Sequence, residues 1–165
     1  MTSLRHLLPV LGLVLAADLM PSRAPSASAQ VPATAAESRH VRWESHREAE
    51  ARSLAEQKPL LIHFTAPWSG WCKKMQRETY ADRRVVRYLN EHFAMAMVDT
   101  DKLPAMARKF AVEGPPTLWF LEPGGRRLTH LAGYTSADNL LPLLEFIVAR
   151  DYEWTDYGTW LKRRR

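Results

Sequence analysis

The sequence predicts an α/β domain in which a central mixed sheet of four to five strands is flanked by helices. Short apolar runs of strand length alternate with segments that favour helix, which is the pattern of a sheet covered by helices. The sequence P-G-G at 123–125 separates two strand candidates and indicates a hairpin. With 165 residues, of which 46% are hydrophobic, the chain suits one ordinary globular domain.

The first half of the domain is predicted to contain two helical regions around one buried strand. Residues 44–57 are rich in Ala, Glu, Arg and Leu, which favours helix, and Lys58-Pro59 ends this segment. Residues 60–66, LLIHFTA, form an apolar run of strand length. A helix is then predicted from Ser69 to about Asn90, with an interruption near 79–82.

The second half continues the alternation. It predicts, in order, a strand over 93–99, a helix over 103–112, strands over 117–122 and 127–134, and a helix over 136–150. The last helix begins with an N-cap candidate, Ser136, and its interior proline, Pro142, is expected to mark a kink.

The N-terminal residues are predicted to be a secretory signal. Arg5 and His6 precede a mostly apolar run over 7–20, and a small-residue cleavage sequence ends at Ala29. The apolar run is shorter than the roughly 20 residues of a spanning helix and contains Asp18, so no stable membrane span is expected after cleavage. We therefore expect residues 1–29 to be removed, and the mature protein to be periplasmic or secreted.

The remaining boundaries follow from composition. Residues 30–41 are small and polar and are interpreted as a linker, and residues 42–150 contain all the predicted strands and helices. Residues 151–165 are aromatic and then basic, ending in LKRRR, and no element is predicted there. Charge runs of this kind are usually solvated tails, although contact with anionic lipid or an acidic partner is an alternative.

Charge and cysteine content limit the possible functions. Removal of residues 1–29 takes away two arginines and one aspartate, so the formal net charge falls from +5 to +4. This mild basicity is not typical of a nucleic-acid-binding protein. The chain has one cysteine, Cys72, and so cannot form an internal disulfide even in an oxidising compartment.

The stretch containing this cysteine resembles a known redox motif. Five stretches are informative together: R-W-E-S-H at 42–46, KPLLIHFTAPW at 58–68, W-x-x-W-C-K-K-M at 68–75, VDTD at 98–101 and VEGPPTLWFLEPGG at 112–125. Through them the chain from about Val41 to Arg150 resembles the thioredoxin family, in particular exported thioredoxin-like proteins and the periplasmic C-terminal domain of the transmembrane thiol:disulfide reductase. It implies a thioredoxin fold and thiol–disulfide exchange chemistry.

The sequence departs from the family at the attacking position. The resemblance implies a C-x-x-C motif whose first cysteine attacks a disulfide and whose second resolves the mixed disulfide, but Ser69 occupies the first position. A serine hydroxyl is a poor nucleophile without a base and forms no disulfide. Ser69 is well suited to cap the following helix, with Cys72 at the third helical position. The remaining thiol is either a buried small residue or a reactive group at a helix N-terminus.

His63 is a candidate partner for this thiol. It lies on the predicted strand before the motif, where the resemblance implies a buried carboxylate that handles protons for the second cysteine. One hypothesis is a thiolate–imidazolium pair with Cys72, and the other is a core histidine hydrogen-bonded to the backbone. His63 and Cys72 would be only two metal ligands, so neither a metal site nor a cofactor is predicted.

The remaining site residues are predicted to bind a partner. Trp68 and Trp71 flank Ser69, and at least one is expected to be exposed beside a groove. The resemblance implies a cis-proline loop that holds the partner chain, here Pro116 with Thr117 after it. The expected partners are exported proteins or peptides, including cysteine-containing segments, or a small thiol.

Three hypotheses remain at the level of sequence. The first is an exported protein of the thiol–disulfide exchange family that keeps one thiol, Cys72, for mixed disulfides or partner binding. The second is a redox-silent binding or assembly module that uses the same groove. The third is a dithiol oxidoreductase in which Ser69 is an engineered or miscalled cysteine.

Overall fold

The computed structural model describes residues 38–164 and has the predicted α/β architecture. In chain order its elements are α1 (His46–Glu56), β1 (Leu60–Thr65), α2 (Gly70–Glu78), α3 (Arg83–His92), β2 (Ala94–Asp99), α4 (Pro104–Lys109), β3 (Thr117–Leu121), β4 (Arg127–Ala132), α5 (Ala137–Val148), a 3-10 turn (Asp151–Glu153) and α6 (Tyr157–Arg163). Every predicted strand and helix is present, with ends shifted by a few residues. The predicted signal over 1–29 and most of the linker lie outside the described residues.

The sheet is mixed and has four strands in the order β2-β1-β3-β4. Strand β1 pairs with β2 in parallel, and β3 is antiparallel to both β1 and β4. A single bridge between Glu44 and Ala96 continues the sheet beyond β2, but it is too short to count as a fifth strand. The expectation of four to five strands is therefore met by four.

Side chains alternate across β1 and divide the core into two layers. Leu61 belongs to the layer beneath α3 and α5, together with Met75 of α2. Leu60 and Ile62 belong to the opposite layer, which includes Ala49 of α1. Alternate residues of a strand face opposite sides of the sheet, and β1 is buried along its whole length because helices cover both sides.

Side-chain caps determine where several helices begin. Ser45 and Glu48 form a reciprocal capping box at the start of α1. The hydroxyl of Ser69 accepts from the backbone N–H of Cys72 at the start of α2. Asp82 caps α3 and divides the long helical region after Ser69 into two helices, where the interruption is predicted.

The C-terminal segment packs on the domain instead of extending into solvent. In α6, Tyr157 and Trp160 lie against Phe146 of α5, with ring centroids 5.4 and 5.3 Å away. The indole N–H of Trp160 donates to Asp151. The sequence predicts no structure here because the apolar side chains are few and show no strong periodicity.

Helix α5 runs from Ala137 to Val148 with Pro142 inside it.

Among residues 38–164, no helix combines the length and the hydrophobicity that crossing a membrane requires.

Candidate functional site

The candidate site lies where β1 ends and α2 begins. The buried strand β1 leads into a short turn, and Ser69 is the N-cap of α2 with an extended backbone (φ −73°, ψ 114°). Cys72 therefore occupies the third helical position, as the spacing predicts. Cys72 and Met75 are the buried residues of α2, so they form the face of the helix that packs on the sheet.

Ser69 is buried, with 4% of its surface exposed, and its hydroxyl makes two hydrogen bonds. It accepts from the backbone N–H of Cys72 at 3.3 Å and donates to the carbonyl oxygen of Pro115 at 3.2 Å. The cap is the role that residue preference predicts, but the bond to Pro115 is a contact that sequence reasoning missed. Both hydrogen bonds hold parts of the backbone together. Among the described residues, no basic side chain that could activate the hydroxyl oxygen forms a hydrogen bond with it.

The loop facing Ser69 contains the two prolines. The Pro115–Pro116 peptide bond is cis. Pro115 is half-buried and has no N–H, and its carbonyl already accepts from Ser69. The carbonyl of Pro116 accepts from the N–H of Gly133 at 2.8 Å. The carbonyls of both prolines therefore have hydrogen-bond partners inside the domain.

The sequence analysis expects Pro116 and Thr117 to contact a partner, but the structure buries them inside the domain. Thr117 is the first residue of β3, is 3% exposed, and its hydroxyl donates to the carbonyl of Gly114 at 2.7 Å. The part of this loop within reach of a partner is therefore Gly114, which is exposed, and Pro115, which is half-buried.

Cys72 is almost fully buried, at 2% exposed. It nevertheless lines a surface cleft of about 640 Å³ between α2, the end of β2 and the start of α4. Lys73, Gln76, Met97 and Lys102 also line this cleft. Cys72 thus borders an open cleft while only 2% of its own surface is exposed.

His63 is completely buried in β1. Neither ring nitrogen has a hydrogen-bond partner among the described residues. Burial lowers the pKa of the imidazole from 6.5 to about 3, so the ring is neutral at ordinary pH. The predicted thiolate–imidazolium pair therefore lacks its cation, and the alternative of a backbone-bonded histidine is also wrong, because the structure gives this ring no backbone partner.

Trp43 and Tyr80 surround His63. Their ring centroids lie 5.5 and 5.3 Å from the imidazole and 5.0 Å from each other. The hydroxyl of Tyr80 is also buried without a partner. Burial raises the pKa of Tyr80, and a negative charge on Cys72 would raise it further. The sequence analysis gave neither aromatic residue a place at the site, because Trp43 lies 20 positions before His63 and Tyr80 lies 17 positions after it.

The two tryptophans of the motif are both exposed, Trp68 at 67% and Trp71 at 59%. The indole N–H of Trp68 donates to Asp101 at 3.0 Å. The ring of Trp71 lies 5.9 Å from that of Tyr134, and the ammonium of Lys74 lies over both rings. The sequence analysis expects at least one of the two tryptophans to be exposed, and both are. It did not predict that Asp101, Lys74 and Tyr134 contact them.

Within residues 38–164 there is no group of three or more His, Cys, Asp and Glu side chains that could hold a metal ion.

Comparison with known proteins identifies the family. Residues 46–147 match the family described as "Thioredoxin-like domain", and this chain belongs to that family. A thioredoxin from Thermus thermophilus has a similar solved structure, with a TM-score of 0.61 and 27% sequence identity, covering 66% of this chain and 87% of that one. The predicted thioredoxin fold is confirmed.

Two curated relatives are proteins of thiol–disulfide chemistry. The thiol:disulfide interchange protein DsbD of Campylobacter jejuni is 33% identical over 93 residues, which are 53% of this chain and 16% of that protein. The disulfide bond reductase DsbH of Chlamydia pneumoniae is 27% identical over 104 residues, 56% of this chain and 63% of that protein. The chain thus spans only part of these relatives, and it is homologous to the thiol–disulfide oxidoreductases of the thioredoxin-like family.

Proposed function

We propose that this protein is an exported member of the thiol–disulfide exchange family that binds extended segments of other exported proteins and has no internal dithiol cycle. The observation that carries the proposal is the exposure of Trp68 and Trp71, 67% and 59%, on either side of the Ser69 position. Tryptophan is enriched among the residues that contribute most to binding at interfaces. The predicted signal over 1–29 supports a location in the cell envelope, periplasmic or secreted.

The binding surface consists of Trp68, Trp71, Tyr134 and Pro115. Tyr134 and Lys74 support Trp71, and Asp101 holds the indole of Trp68, so both rings are partly ordered before a partner binds. Preorganised aromatic rings lose little entropy on binding. Pro115 can donate no backbone hydrogen bond and its carbonyl is occupied by Ser69. Side-chain contacts with the tryptophans are therefore expected to dominate over strand-like pairing with the loop.

Binding of a fluorescently labelled, reduced and alkylated unfolded protein tests the proposal. Alkylation removes the partner's thiols, so that only non-covalent binding is measured. We expect Trp68→Ala and Trp71→Ala each to weaken binding by roughly tenfold or more, as for central interface aromatics. Trp154→Ala is the matched control because this tryptophan is 84% exposed and lies outside the site. Equal affinities of all three variants would refute the proposed surface.

A second candidate function uses Cys72 as a single thiol, and the cleft beside Cys72 favours it. The thiolate of Cys72 would attack a disulfide R–S–S–R, forming Cys72–S–S–R and releasing one thiolate RS⁻. With Ser69 in place of the other cysteine, a second thiol from outside the chain must reduce this mixed disulfide.

Incubation of the folded protein with glutathione disulfide tests this chemistry. Intact mass spectrometry should show one adduct in the wild type and none in Cys72→Ala. An unmodified wild-type protein, with modification only after unfolding, would rule out the single-thiol function. If, in addition, partner binding is unchanged in Cys72→Ala, the results would support the second hypothesis, a redox-silent binding module.

A further inference from the structure

Two aromatic rings and a carboxylate form a small cage around one end of the proposed binding surface. The ring of Trp71 lies 5.9 Å from that of Tyr134, and the two ring planes are inclined at 38°. The hydroxyl of Tyr134 donates to a carboxylate oxygen of Glu78 at 2.7 Å. This aromatic cage of Trp71, Tyr134 and Glu78 has two π faces and one negative charge, and both kinds of group attract a cation.

The aromatic cage already holds a cation that belongs to the protein itself. The ammonium of Lys74 lies 4.6 Å from the centroid of the Tyr134 ring and 5.4 Å from that of the Trp71 ring. It also lies 3.9 Å from a carboxylate oxygen of Glu78. Lys74 therefore shows which chemical group the cage accommodates, namely a primary ammonium at the end of a flexible chain.

The walls of the cage are fixed independently of this lysine. Tyr134 lies in the loop between β4 and α5, and both of its neighbours in the chain are hydrogen-bonded to the rest of the domain. The N–H of Gly133 donates to the carbonyl of Pro116 at 2.8 Å. The hydroxyl of Thr79, at the C-terminus of α2, donates to the carbonyl of Thr135 at 2.6 Å. This loop is thus joined to the helix that carries the other two walls, so departure of the lysine would leave the cage open.

Lys74 itself is held weakly. Its side chain and that of Glu78 are both partly exposed, so water competes for each group. Ion pairs and cation–π contacts between exposed side chains are weak for this reason, and because ordering a long side chain costs entropy. A second ammonium that arrives on a bound partner can therefore take the place of Lys74, whose own ammonium returns to water.

We propose that Trp71, Tyr134 and Glu78 form a subsite for a lysine side chain of a bound partner, and that Lys74 occupies this subsite until the partner displaces it. The inference rests on the proposed function, because it requires a partner segment at Trp71, and it adds the chemical class of one partner side chain. No covalent bond changes, since one ammonium leaves the cage and another enters. The partner's affinity is reduced by the fraction of the protein in which Lys74 occupies the cage.

An acidic partner side chain fits this arrangement less well. A carboxylate in the cage would face the negative π faces of both rings and the carboxylate of Glu78. Outside the cage it would approach Lys74 where Glu78 and the two rings already offset the charge of the ammonium. Charge complementarity therefore favours a cationic side chain.

Fluorescence anisotropy with three short labelled peptides tests the subsite. The peptides lack cysteine and differ at one central position, which is lysine, norleucine or glutamate. We expect Lys74→Ala to raise the affinity for the lysine peptide at least about fivefold, because the competing ammonium is gone, and to change that for the norleucine peptide by less than about twofold. Addition of Glu78→Gln to Lys74→Ala should weaken binding of the lysine peptide again. Lys73→Ala is the matched control, since Lys73 is the neighbouring lysine of α2 and lines the cleft beside Cys72 instead.

NMR spectroscopy of the wild-type protein measures the displacement directly. In the free protein, the two rings should shift the ε-methylene protons of Lys74 upfield. Saturation with the lysine peptide should return these protons toward the values of an exposed lysine, whereas the glutamate peptide should leave them shifted. Protons that stay shifted at saturation with the lysine peptide would contradict displacement.

The peptide measurements give three further results that would overturn the proposal. Equal changes in affinity for the lysine and norleucine peptides in Lys74→Ala would show that the cage does not select a cation. Loss of binding of all three peptides would make Lys74 a support for Trp71. Loss confined to the glutamate peptide would make Lys74 the recognition group for an acidic partner. Binding of the norleucine peptide to Trp68→Ala tests the proposed function separately, because Trp68 is not part of the cage, so the two failures are distinguishable.

Discussion

The hydroxyl of Ser69 donates a hydrogen bond to the carbonyl oxygen of Pro115 at 3.2 Å. This bond joins the N-terminus of α2 to the proline loop, two segments that are 46 residues apart in the chain. The same oxygen accepts from the N–H of Cys72, so one side chain caps the helix and fastens the loop. Ser69 thus stabilises the geometry of the site, at the position where the sequence resemblance implies a cysteine.

Ser69→Ala is expected to destabilise the protein by about 1–2 kcal/mol, because it removes an N-cap and leaves a buried N–H unpaired. Urea unfolding measures this change. Ser136→Ala is the matched control: Ser136 is also an N-cap residue, but its side chain makes no capping hydrogen bond within the described part of the chain. Similar losses in both variants would mean that the Ser69 contacts contribute little.

Ser69→Cys is expected to restore an internal disulfide with Cys72. The two positions are the N-cap and the third residue of α2, so the new thiol would lie across one helical turn from the existing one. Mild oxidation should remove two hydrogens from the intact mass, and the variant should reduce insulin in the presence of dithiothreitol faster than the wild type. Ser69→Cys combined with Cys72→Ser is the control. If no disulfide forms, the site has diverged beyond the loss of one cysteine.

His63 is expected to make the protein sensitive to acid. The unfolded chain binds a proton near pH 6.5, whereas burial lowers the pKa of the folded imidazole to about 3. On acidification the unfolded state therefore gains its proton first, and stability falls from about pH 6.5 downward, by up to roughly 1.4 kcal/mol per pH unit.

His63→Leu should flatten this dependence between about pH 6.5 and 4. Removing the unpaired ring nitrogens is also expected to leave stability at pH 7 nearly unchanged or higher. Urea unfolding at several pH values gives both results. His40→Gln is the control because His40 is exposed. A pH profile identical to that of the wild type would show that His63 is not buried as a neutral ring.

Trp160→Ala is expected to destabilise the domain by about 2 kcal/mol, less than for a fully buried aromatic residue. Its ring packs on Phe146 of α5, and its indole donates to Asp151. Trp154→Ala makes the same change at a side chain that is 84% exposed, and should alter stability by less than about 0.5 kcal/mol. Thermal or urea unfolding of the two variants provides the comparison, and equal stabilities would contradict docking of α6 on the domain.

Much of the fold was determined by local sequence. Apolar runs such as LLIHFTA predict strands because a fully buried strand needs apolar residues on both faces, and Ser69 predicts a helix start because its side chain can satisfy a free N–H group. The absence of an internal disulfide also follows from composition alone, since one cysteine cannot pair with itself.

Tertiary structure decided what the remaining residues of the site can do. The sequence could not show that Ser69 bonds to Pro115, that Pro116 and Thr117 are buried, or that Trp71 has Tyr134 beside it, because these relationships join residues distant along the chain. It left the choice between a buried and an open thiol undecided, since solvent exposure depends on how α2, β2 and α4 pack. The sequence determined which donors and rings exist, whereas packing determined which of them meet, because hydrogen bonding and burial depend on neighbours that only the folded chain brings together.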